Sequence, residues 1–270
     1  MDMGSVAHRD LFCQAFIATH RRWDPADLAW PDLGRDALDR LRRLPFWGEA
    51  VATERETGEK ITAYAATVVD PVLREAITLQ GIEEVRHAHL LEVMLVRYGI
   101  QVTPRPTAPL PRDLEGGFVE TGYGECIDSF FAFGLFELAR RAVLVPPALL
   151  ALVEPVIDEE ARHIIFFTNW AAYRQRSAAR RSVVRRAVRA LRYYLRAGRR
   201  RLEAVRSASG VGFTASGARA VSVDVSAEAF LATCLAENER RLAGFDPRLL
   251  RPRLVPRLAR IALVAMRRRR

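Results

Sequence analysis

Two short stretches of this 270-residue chain place the same side chains at the same intervals. Residues 83–87 read Glu-Glu-Val-Arg-His, and residues 159–163 read Glu-Glu-Ala-Arg-His. In each, a glutamate and a histidine stand three positions apart: Glu84 with His87, and Glu160 with His163. On a helix that interval points both side chains the same way, so each pair can reach one metal ion. Two such pairs on two helices can give each of two metals a histidine and a shared carboxylate. A single Glu-x-x-His on a charged helix reads as a surface ion pair. The duplication, with glutamates upstream of both copies, points to a metal centre.

Each metal then needs one more carboxylate from a neighbouring helix. Upstream of the first copy stand Glu49, Glu54, Glu56 and Glu59. Glu54 falls on the stripe Trp47, Val51, Gly58, Ile61, Ala65 and Val68, whereas Glu56 shares a face with Glu49, Glu59 and Lys60 that reads as solvated. Folding a hairpin about Asp70 also sets Glu54 level with Glu84. Upstream of the second copy stand Glu125 and Glu137. Glu125 precedes Glu160 by 35 residues, near the 30 that separate Glu54 from Glu84. Glu137 precedes Glu160 by only 23 residues and is followed by Arg140 and Arg141, natural ion-pair partners. Spacing therefore favours Glu125 and leaves Glu137 as the alternative. The expected ligands are Glu54, Glu84, His87, Glu125, Glu160 and His163. Glu83 and Glu159, each directly before a ligand glutamate, are suited to contact the opposite histidine and fix its tautomer. Arg86 and Arg162 are suited to offset part of the buried negative charge. Four buried carboxylates cost many kcal/mol without cations, so the set argues for metal ions among them.

Helices must carry these residues, and the pattern predicts them. One runs from about Phe46 to Val69. Asp70 can cap and Pro71 can open a second, which continues to about Tyr98. A proline-rich crossover fills 100–117, a third helix covers roughly 118–143, and a fourth follows Pro147 to at least Arg174. Two helical hairpins joined by one long connection is the topology of ferritin-like four-helix bundles. The expectation is an all-α chain in three parts: a helical lead-in at 1–45, the di-metal bundle at 46–174, and an arginine-rich, mostly helical extension at 175–270. Within the extension, 175–206 reads as a basic helix, 207–220 as a linker, and Ala220 to Val225 as a short β-like run. Ser226 can then cap a helix reaching Gly244, and a basic amphipathic segment ends at Arg270.

The doubled motif resembles the signature of the ferritin-like di-iron carboxylate superfamily. It is closer to soluble di-iron oxygenases and acyl-carrier-protein desaturases than to ferritins with their plainer Glu-x-x-His. The resemblance covers about residues 46–174. It implies iron as the metal, where carboxylates and imidazoles alone would also suit manganese. Two departures stand out. Glu83 and Glu159 occupy positions where aspartate is commoner, and Leu91 occupies the position where ribonucleotide-reductase radical subunits carry a tyrosine. A radical-generating role is therefore disfavoured.

Charge divides the chain. Residues 1–170 carry a net charge of −9 and residues 171–270 a net of +19, with 25 arginines in the second part. Val184, Val188, Leu191 and Leu195 repeat at helical spacing, with Arg181, Arg185, Arg189, Arg192, Arg196 and Arg199 mostly elsewhere. Such a segment fits a solvated helix packed on the bundle, contact with anionic lipid, or binding of nucleic acid or another polyanion. Three scattered cysteines and the lack of an export signal or long apolar run suggest a cytoplasmic protein, peripheral to a membrane if the basic part binds one. His8 and His20 have no ligand partners in sequence and His89 lies on another face from His87, so all three read as solvated or structural. Phe130, Phe131, Phe133 and Phe136 read as core, as does Cys126. The functional expectation is a di-iron oxidoreductase, possible as a homodimer, that uses O2 and an unspecified electron donor. It would oxidise a small organic or lipid-like substrate. The alternatives are a ferroxidase, an RNA- or membrane-associated hydroxylase, and a polyanion-binding adaptor with a degenerate bundle.

Overall fold

Asp70-Pro71 separates two helices because each residue supplies what a helix start lacks. The Asp70 carboxylate accepts from the backbone N–H groups of Val72 and Leu73, both at 3.1 Å, and Pro71 has no N–H to leave unpaired. Here and throughout, the chain is seen in a computed structural model that describes residues 1–44, 46–103, 105, 107–142, 145–177, 188, 191–199 and 225–268. The sequence readings for Val184, Arg181, Arg185 and Arg189, for the linker 207–220 and for residues 220–224 lie outside them. Among the described residues every regular element is helical.

Helix α1 is Val6–Ala18, and a 3-10 turn at Pro25–Asp27 and α2 at Arg35–Arg42 follow it. The helices that carry the candidate ligands are α3 (Trp47–Thr67), α4 (Pro71–Arg97), α5 (Leu114–Arg141) and α6 (Pro147–Ser177). Two more, α7 (Ala227–Leu242) and α8 (Leu254–Arg267), lie in the basic part. Helix α5 starts four residues earlier than its apolar pattern suggests. Asp113 accepts from the N–H of Gly116 at 2.8 Å and so holds a first turn that contains two glycines.

Helix α3 packs along α4, α5 packs against α6, and the pairs meet through α3 with α5 and α4 with α6. Gly58 lets the first pair close. A Cβ there would lie 2.8 Å from Val85 Cγ2 and 3.4 Å from Glu84 Cβ, so the two backbones approach closely beside a candidate ligand. The main core joins Phe12 and Phe16 of α1 to Ile61, Ile77, Phe118, Phe133, Ile164, Phe166 and Trp170. Phe130 is buried in a second cluster with Cys234 and Ala259, and Phe136 and Cys126 belong to the main core.

Helix α1 lies across α4 and α6, so the lead-in is part of the same packed body. His8 helps fix it there. Its Nδ1 accepts from the Gly4 N–H at 3.2 Å, so Nε2 carries the proton and donates to Asn169 Oδ1 at 3.0 Å. Asn169 in turn accepts from the Leu250 N–H and donates to the Leu250 carbonyl, which ties the segment before α8 to α6.

Candidate metal centre

Six side chains from α3, α4, α5 and α6 meet in the interior. Glu54, Glu84, His87 and Glu160 form one group of donor atoms, and Glu84, Glu125 and His163 form another, with the atoms of each within 4.8 Å of one another. Glu84 belongs to both. Its Oε1 lies 2.9 Å from His163 Nδ1, and its Oε2 lies 3.9 Å from His87 Nδ1. Glu160 Oε1 also stands between the histidines, 3.4 Å from His87 Nδ1 and 3.8 Å from His163 Nδ1. Glu54 Oε2 faces His87 Nδ1 at 3.6 Å. The two imidazoles stack with centroids 5.7 Å apart. Glu137 is not part of this cluster; its carboxylate is held by Arg140 and Arg141 at 2.6–2.7 Å. Glu56 pairs with Arg105 and Lys60, and Glu49 with Arg105.

The far side of each histidine is braced crosswise. His87 Nε2 lies 2.9 Å from Glu159 Oε2, and His163 Nε2 lies 2.8 Å from Glu83 Oε2. An ionised carboxylate can only accept, so each Nε2 carries a proton and each Nδ1 is the nitrogen that faces the carboxylate cluster. Arg86 donates to Glu159 Oε1 at 2.7 Å, and Arg162 donates to Glu83 Oε1 at 2.8 Å. Each motif thus supplies the histidine for its own side and the brace for the other.

Electrostatics follow from this crowding. Burial favours a neutral Glu83, yet His163 and Arg162 outweigh it and hold its carboxyl below the ordinary range. Glu159 is lowered in the same way by His87 and Arg86. Burial opposes charge on His87 and His163, but the facing carboxylates raise both well above their ordinary value. Burial raises Glu125, with Glu84 and Glu160 adding to the effect, and it pushes Glu54 up to about 8. Glu160 is lowered, the histidines and Ser129 prevailing over burial. Protons alone balance this set poorly. Glu125 Oε1 and His87 Nδ1 are buried without a hydrogen-bond partner, and Glu84 Oε1 and His163 Nδ1 have only each other, 2.9 Å apart. Orphaned donor atoms aimed into one space are what a cation would satisfy, so the residues fit a metal site.

Exposure is uneven around the cluster. The side chains of Glu84, His87 and His163 are sealed at 2% or less, whereas Glu54 keeps 25% and Glu160 15%. Glu125 is likewise only partly buried, so the accessible groups of the cluster are the carboxylates Glu54, Glu125 and Glu160. Two surface depressions beside α6, about 290 and 480 Å3, share Arg21 and Pro155. The first touches Glu159 and Arg162 from outside, and no ligand side chain lines either.

Several contacts escape sequence reasoning. His20 Nδ1 lies 2.6 Å from Glu83 Oε1, and the Trp23 indole N–H donates to Glu159 Oε1 at 3.1 Å. Arg162 also donates to Thr19 Oγ1 and to the Phe16 carbonyl. Ser129 donates to Glu160 Oε2, and Gln80 to Glu125 Oε2 at 3.4 Å. Ser129 lies one turn after Glu125 and Gln80 one turn before Glu84, a spacing that could have suggested both. His20 and Trp23 sit in the lead-in, with no periodic link to the motifs. His89 is half-exposed, near Asp24 and Glu92. No family model, no curated protein and no solved structure matches this chain, so the buried Glu/His cluster and its crosswise braces are the ground for assigning it a function.

Proposed function

We propose that this chain is a di-iron oxidoreductase on a ferritin-like four-helix bundle, using O2 to oxidise a small organic or lipid-like substrate. One observation carries the reading: four carboxylates and two histidines converge from four helices, and each histidine is oriented by the other motif's glutamate. Carboxylate and imidazole donors suit iron or manganese, and the doubled motif's resemblance to soluble di-iron oxygenases favours iron.

Bound there, a ferrous pair would supply the electrons that reduce O2 and generate the oxidant for a nearby C–H or N–H bond. The protein's own part is positional. Glu84 and Glu160, which face both histidines, would hold the ions together with His87, His163, Glu54 and Glu125. Glu83 and Glu159 hold the Nε2 protons and so keep both Nδ1 atoms free to ligate. Arg86 and Arg162 keep those two glutamates ionised. Burial of both histidines and Glu84 excludes water, and the partly accessible carboxylates Glu54, Glu125 and Glu160 mark where O2 and substrate would approach.

The test is anaerobic reconstitution with ferrous iron, metal analysis, and Mössbauer spectroscopy before and after O2. About two irons per chain and a spin-coupled diferric spectrum are expected. A mononuclear spectrum would overturn the proposal. Cage-sized assemblies with mineral cores would point instead to iron as the substrate.

A further inference from the structure

Helix α8 buries one narrow face and presents a second apolar face outward. Pro256, Ala259 and Leu263 are buried on the inner side, where Ala259 joins Phe130 and Cys234. The support beneath is tight: a Cβ on Gly134 of α5 would collide with Cys234 Sγ and lie 2.9 Å from its Cα, so α7 rests directly on the α5 backbone. On the outer side Leu258 is 56% exposed, Ile261 66% and Val264 48%. At 3.6 residues per turn, Leu254, Leu258, Ile261 and Ala265 form a stripe opposite the buried one.

One edge of that stripe is cationic. Arg260 and Arg267 pair with Glu239 and Glu228 of α7. Exposed Arg253, Arg257 and Arg268 have no carboxylate partner among the described residues, and α8 contains no acidic residue. We infer that α8 is a docking surface for an anionic lipid bilayer, lying in its plane with Leu258 and Ile261 inserted and Arg253, Arg257 and Arg268 among the headgroups. The chemistry selects this occupant. A nucleic acid would meet the arginines but leave Leu258 and Ile261 against phosphate and water. A second copy would bring two unpaired cationic rims together. An anionic membrane offers negative charge at the rim with hydrocarbon behind it. The stripe from Leu254 to Ala265 is about 18 Å long, short of the roughly 30 Å hydrocarbon layer, so it lies on the membrane and does not cross it. No described helix is long and apolar enough to cross a membrane. The inference stands independently of the chemistry at the metal centre.

The test is co-sedimentation of the full chain with phosphatidylcholine vesicles, with and without phosphatidylglycerol, at low and high salt. Wild type should partition onto the phosphatidylglycerol vesicles, weaken in high salt, and bind pure phosphatidylcholine far less. Ile261→Asp should cost about tenfold or more, from the lost apolar insertion alone. Each of Arg253→Gln, Arg257→Gln and Arg268→Gln should cost roughly fivefold. Circular dichroism equal to wild type would show that these surface variants fold. The inference is overturned if wild type does not bind, if it binds neutral vesicles equally, or if Ile261→Asp binds as wild type does. Two further outcomes would also overturn it. One is a dimer that Ile261→Asp dissociates. The other is duplex RNA binding that the arginine variants abolish and Ile261→Asp leaves intact.

Discussion

The two copies of Glu-Glu-x-Arg-His share an inner arrangement and part company one layer out. Around His87 the brace is Glu159, held by Arg86, and it ends on Trp23, whose indole donates to Glu159 and lies 4.6 Å under the Arg86 guanidinium. Around His163 the brace is Glu83, held by Arg162, and it is fastened more heavily. His20 meets Glu83, and Arg162 reaches Thr19 Oγ1 and the Phe16 carbonyl while lying 4.4 Å over the Phe16 ring. One side ends on a non-titrating indole, the other on an imidazole and the end of α1. The repeat sets the inner donors; the outer fastening depends on which part of the lead-in passes each motif.

The largest expected effect tests what the halves share. Glu84→Ala removes the carboxylate common to both donor groups, so it should empty both metal positions where loss of Glu54 or Glu125 weakens one. Metal analysis after desalting should fall from about two ions per chain to near none; retention of both would refute a shared Glu84. The next effect probes the difference. Arg162→Ala takes the guanidinium from buried Glu83, leaving it only the imidazoles of His163 and His20, and should cost about 3–5 kcal/mol. Arg86→Ala should cost about 1–2 kcal/mol less than that, since Arg162 makes two further hydrogen bonds of about 1 kcal/mol each. Urea midpoints of the two variants check this, and equal losses would mean that the outer fastening does not distinguish the halves. Trp23→Phe deletes one donor to Glu159 while keeping an aromatic ring over Arg86. A loss of about 1 kcal/mol is expected, confined to the His87 side. A change in the His163 imidazole signal on this substitution would show that the two braces are not separate.

The smallest effect concerns pH in the metal-free protein. Burial raises the Glu54 carboxyl from 4.5 to about 8, so the native state holds this proton more tightly than the unfolded chain does. That contribution to stability is complete below about pH 4.5 and disappears as the pH climbs through about 8. Glu54→Gln should flatten this part of the stability profile. Its size is limited because a quarter of the side chain remains accessible. A profile that Glu54→Gln leaves unchanged would show that Glu54 ionises freely in the fold.

What the sequence revealed and what it hid separate along the same line. The paired motifs were legible because a three-residue interval has one meaning on a helix. Glu54 could be singled out by the apolar stripe it shares with Gly58, and Glu125 by a spacing that mirrors the first hairpin. The contacts from His20 to Glu83 and from Trp23 to Glu159 span 63 and 136 residues. They depend on how α1 lies across α4 and α6, which no local periodicity encodes. The His8–Asn169 bond, across 161 residues, was hidden for the same reason. The close seat of α7 on α5 was equally silent, because a glycine in a helix does not announce which backbone will approach it.

The crosswise bracing has a consequence for symmetry. Glu83 serves His163 while Glu159 serves His87, the reciprocity by which two identical subunits meet across a two-fold axis. Here both partners lie on one chain, so nothing forces the two halves to match and the chain is free to make them differ. His20 on one side and Trp23 on the other do so. Two ions held here would occupy inequivalent positions, distinguishable by order of filling and by spectrum, though each side offers a histidine, a glutamate of its own and the shared Glu84.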